Sequence, residues 1–184
     1  GLVDAMNADF ARLGLTTIQI LGTDPATGGA WAPGRISMTA MDTARLLLLI
    51  DGPGSDRDSW WSAADGTPVG RSVLSPDRRD WLNSMLNQQS FNETLSTTNL
   101  CDAPYVVPGI PQRVSSRWIG DDGTVTVGGI PFGRDVRSCN TAADVSFGHK
   151  TGLSWNYASD AGIVRSLPGR PDRHYIVVVM SNLG

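Results

Sequence analysis

Residues 145–182 read VSFGHKTGLSWNYASDAGIVRSLPGRPDRHYIVVVMSN. VSFGHKTG (145–152), ASDAGIVRSL (158–167) and RHYIVVVMSN (173–182) each read as a strand, with Val and Ile prominent, and PGRPD between the last two has turn composition. The pattern predicts an antiparallel hairpin with the FGHKT strand beside it. The same stretch holds the only lysine of the chain, Lys150; the other fourteen cationic side chains are arginine. A position that needs only positive charge is served by arginine. One that needs a compact ammonium with three rotatable donors is not.

Upstream of Asp144 the sequence is helical and loop-rich. LVDAMNADFARLG (2–14) places Leu2, Met6, Phe10 and Leu13 at helical spacing, with Gly14 as a stop. TTIQIL (16–21) is a short β-like run, and GTDPATGGAWAPGR (22–35) is a loop by composition. The strongest helix runs from Thr39 to Ile50, with Ser37 or Thr39 as its cap and Asp51-Gly52-Pro53-Gly54 as its end. Residues 55–73 read as irregular and carry Trp60 and Trp61. Ser75-Pro76-Asp77 opens a helix to about Gln89, with Trp81, Leu82, Met85 and Leu86 expected to face inward. Phe91 to Leu95 adds a possible further turn, and residues 97–144 show no sustained period apart from a short hairpin near TVTVGGI (124–130). Helices followed by a block of strands predict an α+β chain, an antiparallel sheet flanked by helices. A single domain over 1–184 is expected, helical and loop-rich to 144 and stranded from 145.

Composition narrows the function classes. At 184 residues, 40% hydrophobic and 18% charged with net charge −3, the chain offers no basic face for nucleic acid. The longest apolar runs, LLLLI (46–50) and YIVVVM (175–180), are too short to span a bilayer. Gly1 opens directly into helix-like sequence, so no signal peptide is visible there. Cys101 and Cys139 are too few for a zinc site. They read either as two buried thiols or, as we favour from their polar and turn-rich flanks (NLCDAP, RSCNTA), as a disulfide formed in an oxidising compartment.

A Lys-Thr-Gly at a strand end, followed by a hairpin that opens with DAGIV, resembles the penicillin-recognising serine hydrolases: class A β-lactamases and their D,D-peptidase relatives. GLVDAMNADFARLGL (1–15) is similar to the helix after that family's Ser-x-Asn loop. RISMTAMDTARLLLLIDG (35–52) is similar to the Thr-rich start and helix after its omega loop. IPQRVSSRWI (110–119) is similar to the approach to the Lys-Thr-Gly strand, here followed by an insertion. The resemblance is loose over most of the chain and closer over 145–182.

The resemblance implies acyl transfer to a serine, on β-lactams or D-alanyl peptides of peptidoglycan. Lys150 would join the nucleophile's hydrogen-bond network and favour the substrate carboxylate. Thr151 would donate its hydroxyl to that carboxylate, and Gly152 would keep the strand open beside the substrate backbone. The N–H of Leu153 would be an oxyanion donor. Trp155 would line the cleft, and His149 would pack or hydrogen-bond. No cofactor and no metal are implied. The location implied is extracytoplasmic: secreted, periplasmic or anchored at the cell envelope, as a lipoprotein is.

The sequence also departs from the family. Ser-x-x-Lys, which activates the nucleophile, cannot occur in a chain whose one lysine is Lys150. The Ser-x-Asn matches at Ser90, Ser138 and Ser154 fall out of order, and between Gly22 and Thr39 the only acid is Asp24, where a deacylating glutamate is expected. Glu93 is placed on a helix instead. The expectation is a partial domain completed by an N-terminal segment that supplies the nucleophile and the first two strands. Two other functions compete. One is a catalytically inactive envelope binding or scaffold protein of the same fold. The other is a carbohydrate-binding module that stacks sugars on Trp31, Trp60 and Trp61. A Ser-His-Asp triad through His149 or His174 lacks the Gly-x-Ser-x-Gly elbow.

Overall fold

The structure, a computed structural model, describes residues 1–21, 35–53, 58–89, 114–154 and 157–181; for 132, 142, 153 and 154 it describes the backbone. Among the described residues three α-helices and small antiparallel ladders make it an α+β chain, as expected from the sequence. Two compact units are distinguished: Gly1–Asn83 with Val178–Met180, and Ser84–Val177 with Ser181–Gly184. The expected loop at 22–35 (but for Arg35) and the possible turn at 91–95 lie outside the described residues.

In the first unit, α1 (Leu2–Arg12) is followed by β1 (Gln19–Ile20), which pairs with β2 (Ile36–Ser37). The Asn7 side chain acts as a further strand partner: its Nδ2 donates to the Ile20 carbonyl at 2.8 Å and its Oδ1 accepts from the Ile20 N–H at 2.9 Å. Helix α2 (Ala40–Asp51) has both ends anticipated by the sequence. Thr39 is extended and its hydroxyl accepts from the Asp42 N–H, filling one of the orphan donors of the first turn. Gly52 ends the helix in the left-handed region at φ 56°, and a Cβ there would lie 2.5 Å from Arg79 Cδ and Nε. The Asp42 carboxylate is buried, which raises its pKa, but hydrogen bonds from the Thr17 hydroxyl and N–H and from Arg45 prevail and hold it below the usual range.

Residues 55–73, expected to be irregular, contain a hairpin instead. β3 (Ser59–Ser62) pairs with β4 (Pro68–Gly70) through a register shift between Ser59 and Trp61. The cause is tertiary. Trp61 Nε1 donates to the Leu13 carbonyl at 2.8 Å, and both Trp60 and Trp61 pack on a core of Leu15, Ile18, Leu49, Ala63 and Val69. Four residues with serine at each end carry too little alternation to announce a strand.

Helix α3 (Pro76–Asn87) begins where Ser75-Pro76-Asp77 predicts, and of the four residues expected to face inward Leu82 and Leu86 are half-buried while Trp81 and Met85 are not. Trp81 is 63% exposed and Met85 49% exposed, while Arg79 is the buried residue of the helix. The Arg79 guanidinium reaches the carbonyls of Arg71 and Leu74. Carbonyl acceptors at the tip of a buried guanidinium offset part of the cost of burying it.

In the second unit, β5 (Thr124–Val127) and β6 (Ile130–Arg134) form the hairpin foreseen at 124–130, extended by four residues. A 3-10 helix follows at Arg137–Ala142. Asp135 fixes its start, accepting from Arg137 Nε at 2.9 Å and NH2 at 2.8 Å, and this pairing holds the Asp135 carboxyl below the ordinary range. The main sheet has the order β7-β8-β9, with β7 at Val145–Ser154, β8 at Tyr157–Ser166 and β9 at His174–Ser181. The predicted strands 145–152, 158–167 and 173–182 are therefore present, within two residues at each end. Val145, Phe147 and Val164 form its apolar cluster, with Val177 packed against them.

Candidate functional site

β7 and β8 pair without interruption from Val145↔Ser166 to Ser154↔Tyr157. This register sets the face of every residue, since successive side chains alternate. Val145, Phe147 and His149 lie on the buried side, whereas Lys150 is exposed. A slip by one residue would bury the ammonium and expose the imidazole.

The buried side carries a polar pair among apolar neighbours. His149 is 1% exposed and Asp160 0%, and Nδ1 of the first lies 2.8 Å from Oδ1 of the second. They are diagonal in the ladder: His149 is opposite Gly162, and Asp160 is opposite Thr151. Among the described residues His149 Nε2 and Asp160 Oδ2 have no hydrogen-bond partner. The imidazole stacks on Phe147, ring centroids 4.4 Å apart at 22°. Gly162 makes the room, since a Cβ there would stand 2.5 Å from His149 Cβ and 2.6 Å from Phe147 Cε2. DAGIV thus contributes the acid (Asp160), the gap (Gly162) and an apolar residue (Val164) to one buried face. The expectation for His149 was packing or hydrogen bonding, and it does both. A hydrolytic triad through His149 is disfavoured, because its second nitrogen is sealed from solvent and no hydroxyl of the described residues meets it.

Lys150, Thr151 and Gly152 follow on β7, which among the described residues pairs with β8 and forms one edge of the β7-β8-β9 sheet. Lys150 Nζ donates to the Thr151 carbonyl. The Thr151 hydroxyl, half-buried, accepts from Gln89 Nε2 at 2.9 Å. Gly152 is exposed, and the Ser159 hydroxyl opposite donates to its carbonyl at 3.3 Å. The backbone of Leu153 continues the strand opposite Ala158. Gln89 is a member of this cluster that sequence reasoning passed over. Its place at the end of α3's predicted span was the only signal, and that does not single out a site residue.

The other expected residues are dispersed. Trp155, Trp31 and Cys101 lie outside the described residues. Cys139 sits on the 3-10 helix at 137–142. Trp60 and Trp61 are half-buried, and the Arg45 guanidinium lies 5.7 Å from the Trp61 ring centre, so that ring is occupied by packing rather than offered to a sugar. Among the described residues no three His, Cys, Asp or Glu are grouped to hold a metal ion, and no helix is long and apolar enough to cross a membrane. In comparisons with known proteins, no family model, no curated protein and no solved structure matches this chain.

Proposed function

We propose that this chain carries one wall of an acyl-transfer cleft of the β-lactamase and D,D-peptidase type. Lys150 and Thr151 receive the carboxylate of a β-lactam or D-alanyl peptide. Gly152 leaves room for the substrate backbone, and the Leu153 N–H donates to the developing oxyanion. The observation that carries this reading is the Lys-Thr-Gly run on a strand that is an edge among the described residues, with its hairpin partner in continuous register. An open strand edge accepts an extended peptide through backbone hydrogen bonds. The β-lactamase-like fold, with further strands and the Ser-x-x-Lys nucleophile contributed from outside these residues, belongs to the same proposal, as does Trp155 at the cleft.

The test is labelling of the intact protein, with any sequence that precedes Gly1, by a fluorescent penicillin. A covalent adduct is expected, formed about 100-fold more slowly in Lys150→Ala. A folded protein that forms no adduct sinks the catalytic reading. One observation favours the second reading, a non-catalytic envelope binding protein of the same fold: these 184 residues contain no Ser-x-x-Lys.

We also propose a Cys101–Cys139 bridge and an extracytoplasmic location. In the chain-entropy model a bridge across this interval stabilises by about 4 kcal/mol. Thiol titration of the denatured, unreduced protein is expected to find no free thiol from this chain; two would refute the bridge.

A further inference from the structure

We propose that Gln89 is a positioning residue that sets the hydrogen-bond polarity of Thr151 and thereby restricts the cleft to ligands bearing a free carboxylate. The inference rests on the acyl-transfer reading above and adds to it a residue which that reading does not include.

A threonine hydroxyl has one hydrogen to donate and lone pairs to accept with. Gln89 Nε2 donates to Thr151 Oγ1 at 2.9 Å, so Oγ1 serves as the acceptor in this contact. The hydroxyl's own hydrogen is thereby left to donate elsewhere, and no acceptor for it is present among the described residues. One rival acceptor lies close in register. Asp160 stands directly opposite Thr151 on β8, and its buried Oδ2 has no partner among the described residues. A buried carboxylate oxygen in that state favours any hydroxyl that can turn towards it. Thr151 does not donate to it in this structure, and its hydroxyl is bonded to Gln89 instead.

The remaining charge at the site has the same preference. The Lys150 ammonium is exposed and anchored to the Thr151 carbonyl. The Asp160 carboxyl is fully buried against His149. A donor hydroxyl beside an exposed ammonium suits an anion, and charge-assisted bonds of this kind are the stronger ones. A neutral ester at the same place would lose the charge from both contacts.

Gln89→Leu removes the donor and lets Thr151 turn to Asp160 Oδ2. Gln89→Glu inverts the contact: a carboxylate at 89 accepts the Thr151 hydrogen and repels an incoming anion. Gln89 is half-buried, so both variants are expected to fold, and a denaturant midpoint checks this. The probes are benzylpenicillin and its methyl ester, reacted with the intact protein, with the ratio of their acylation rate constants as the readout. The wild type is expected to prefer the acid about tenfold or more. Gln89→Leu should reduce that preference and Gln89→Glu should abolish it. A wild type that prefers the acid, with both folded variants retaining the preference, overturns the role of Gln89 and leaves the acyl-transfer reading standing. A wild type that takes acid and ester equally overturns carboxylate selection and this inference with it. Reaction with neither compound overturns both the inference and the catalytic reading.

Discussion

Asp160→Ala is expected to destabilise the protein by about 3 kcal/mol or more, the loss typical of breaking a buried polar pair on one side only. His149 is 1% exposed, and its one hydrogen-bonded nitrogen is the Nδ1 held by Asp160 at 2.8 Å. With Nε2 already unpartnered, the substitution leaves the whole imidazole without a polar contact inside the sheet. Water cannot repair this unless the strands part, and that would cost the Phe147 stack. Asp160→Asn keeps an acceptor oxygen at the same place and should cost only about 1 kcal/mol. Urea unfolding at constant slope measures both. If Asp160→Ala moves stability by less than about 0.5 kcal/mol, the pair does not hold β7 to β8.

Gly162→Ala is expected to be comparably damaging although it adds a single methyl group. Its Cβ would stand 2.5 Å from the Gly148 carbonyl oxygen, 2.5 Å from His149 Cβ and 2.6 Å from Phe147 Cε2. Flexible ends of side chains can move out of such contacts, but a ladder carbonyl and a Cβ cannot. The strand must shift, and overpacking of this kind costs about 1–3 kcal/mol. Because Gly162 faces His149, and Lys150 faces the neighbouring Ala161, the shift also displaces the ammonium. The expected result is a lowered midpoint together with slower penicillin acylation. Unchanged stability would mean that the Phe147–His149 stack has slack the structure does not show.

Both effects arise from one choice of pairing. Ten consecutive residues of β7 meet ten of β8, and the diagonal His149–Asp160 contact exists only in that register. The same register keeps Lys150 on the exposed side. The polar pair is therefore a candidate for specificity of alignment as well as stability: a slipped sheet would bury an unpaired ammonium, at a cost greater than the loss of a few apolar contacts.

Much of the architecture was legible beforehand, and for local reasons. Three strands rich in Val and Ile, with PGRPD between two of them, need no distant information to be read. Thr39 and Gly52 mark the ends of α2 because a capping hydroxyl and a left-handed glycine act on backbone groups within one turn. Lys-Thr-Gly and the DAGIV run were visible as words in the chain, and so was the suspicion that His149 packs.

What remained hidden depended on contacts between residues far apart. The β3–β4 hairpin is held by Trp61 bonding to Leu13, 48 positions away. Helical spacing showed that Trp81 and Met85 share a face but not that Arg79 is the residue turned inward, because periodicity relates neighbours to one another and not to the surrounding core. Gln89 meets Thr151 across 62 positions, and His149 meets Asp160 across 11 through a register that no local rule specifies. By itself the sequence determined the α+β class, the three principal strands and the place of the lone lysine. Only the tertiary structure decided which polar groups meet, because hydrogen bonds across the sheet and from the end of α3 form only once register and packing bring their atoms within about 3 Å of each other.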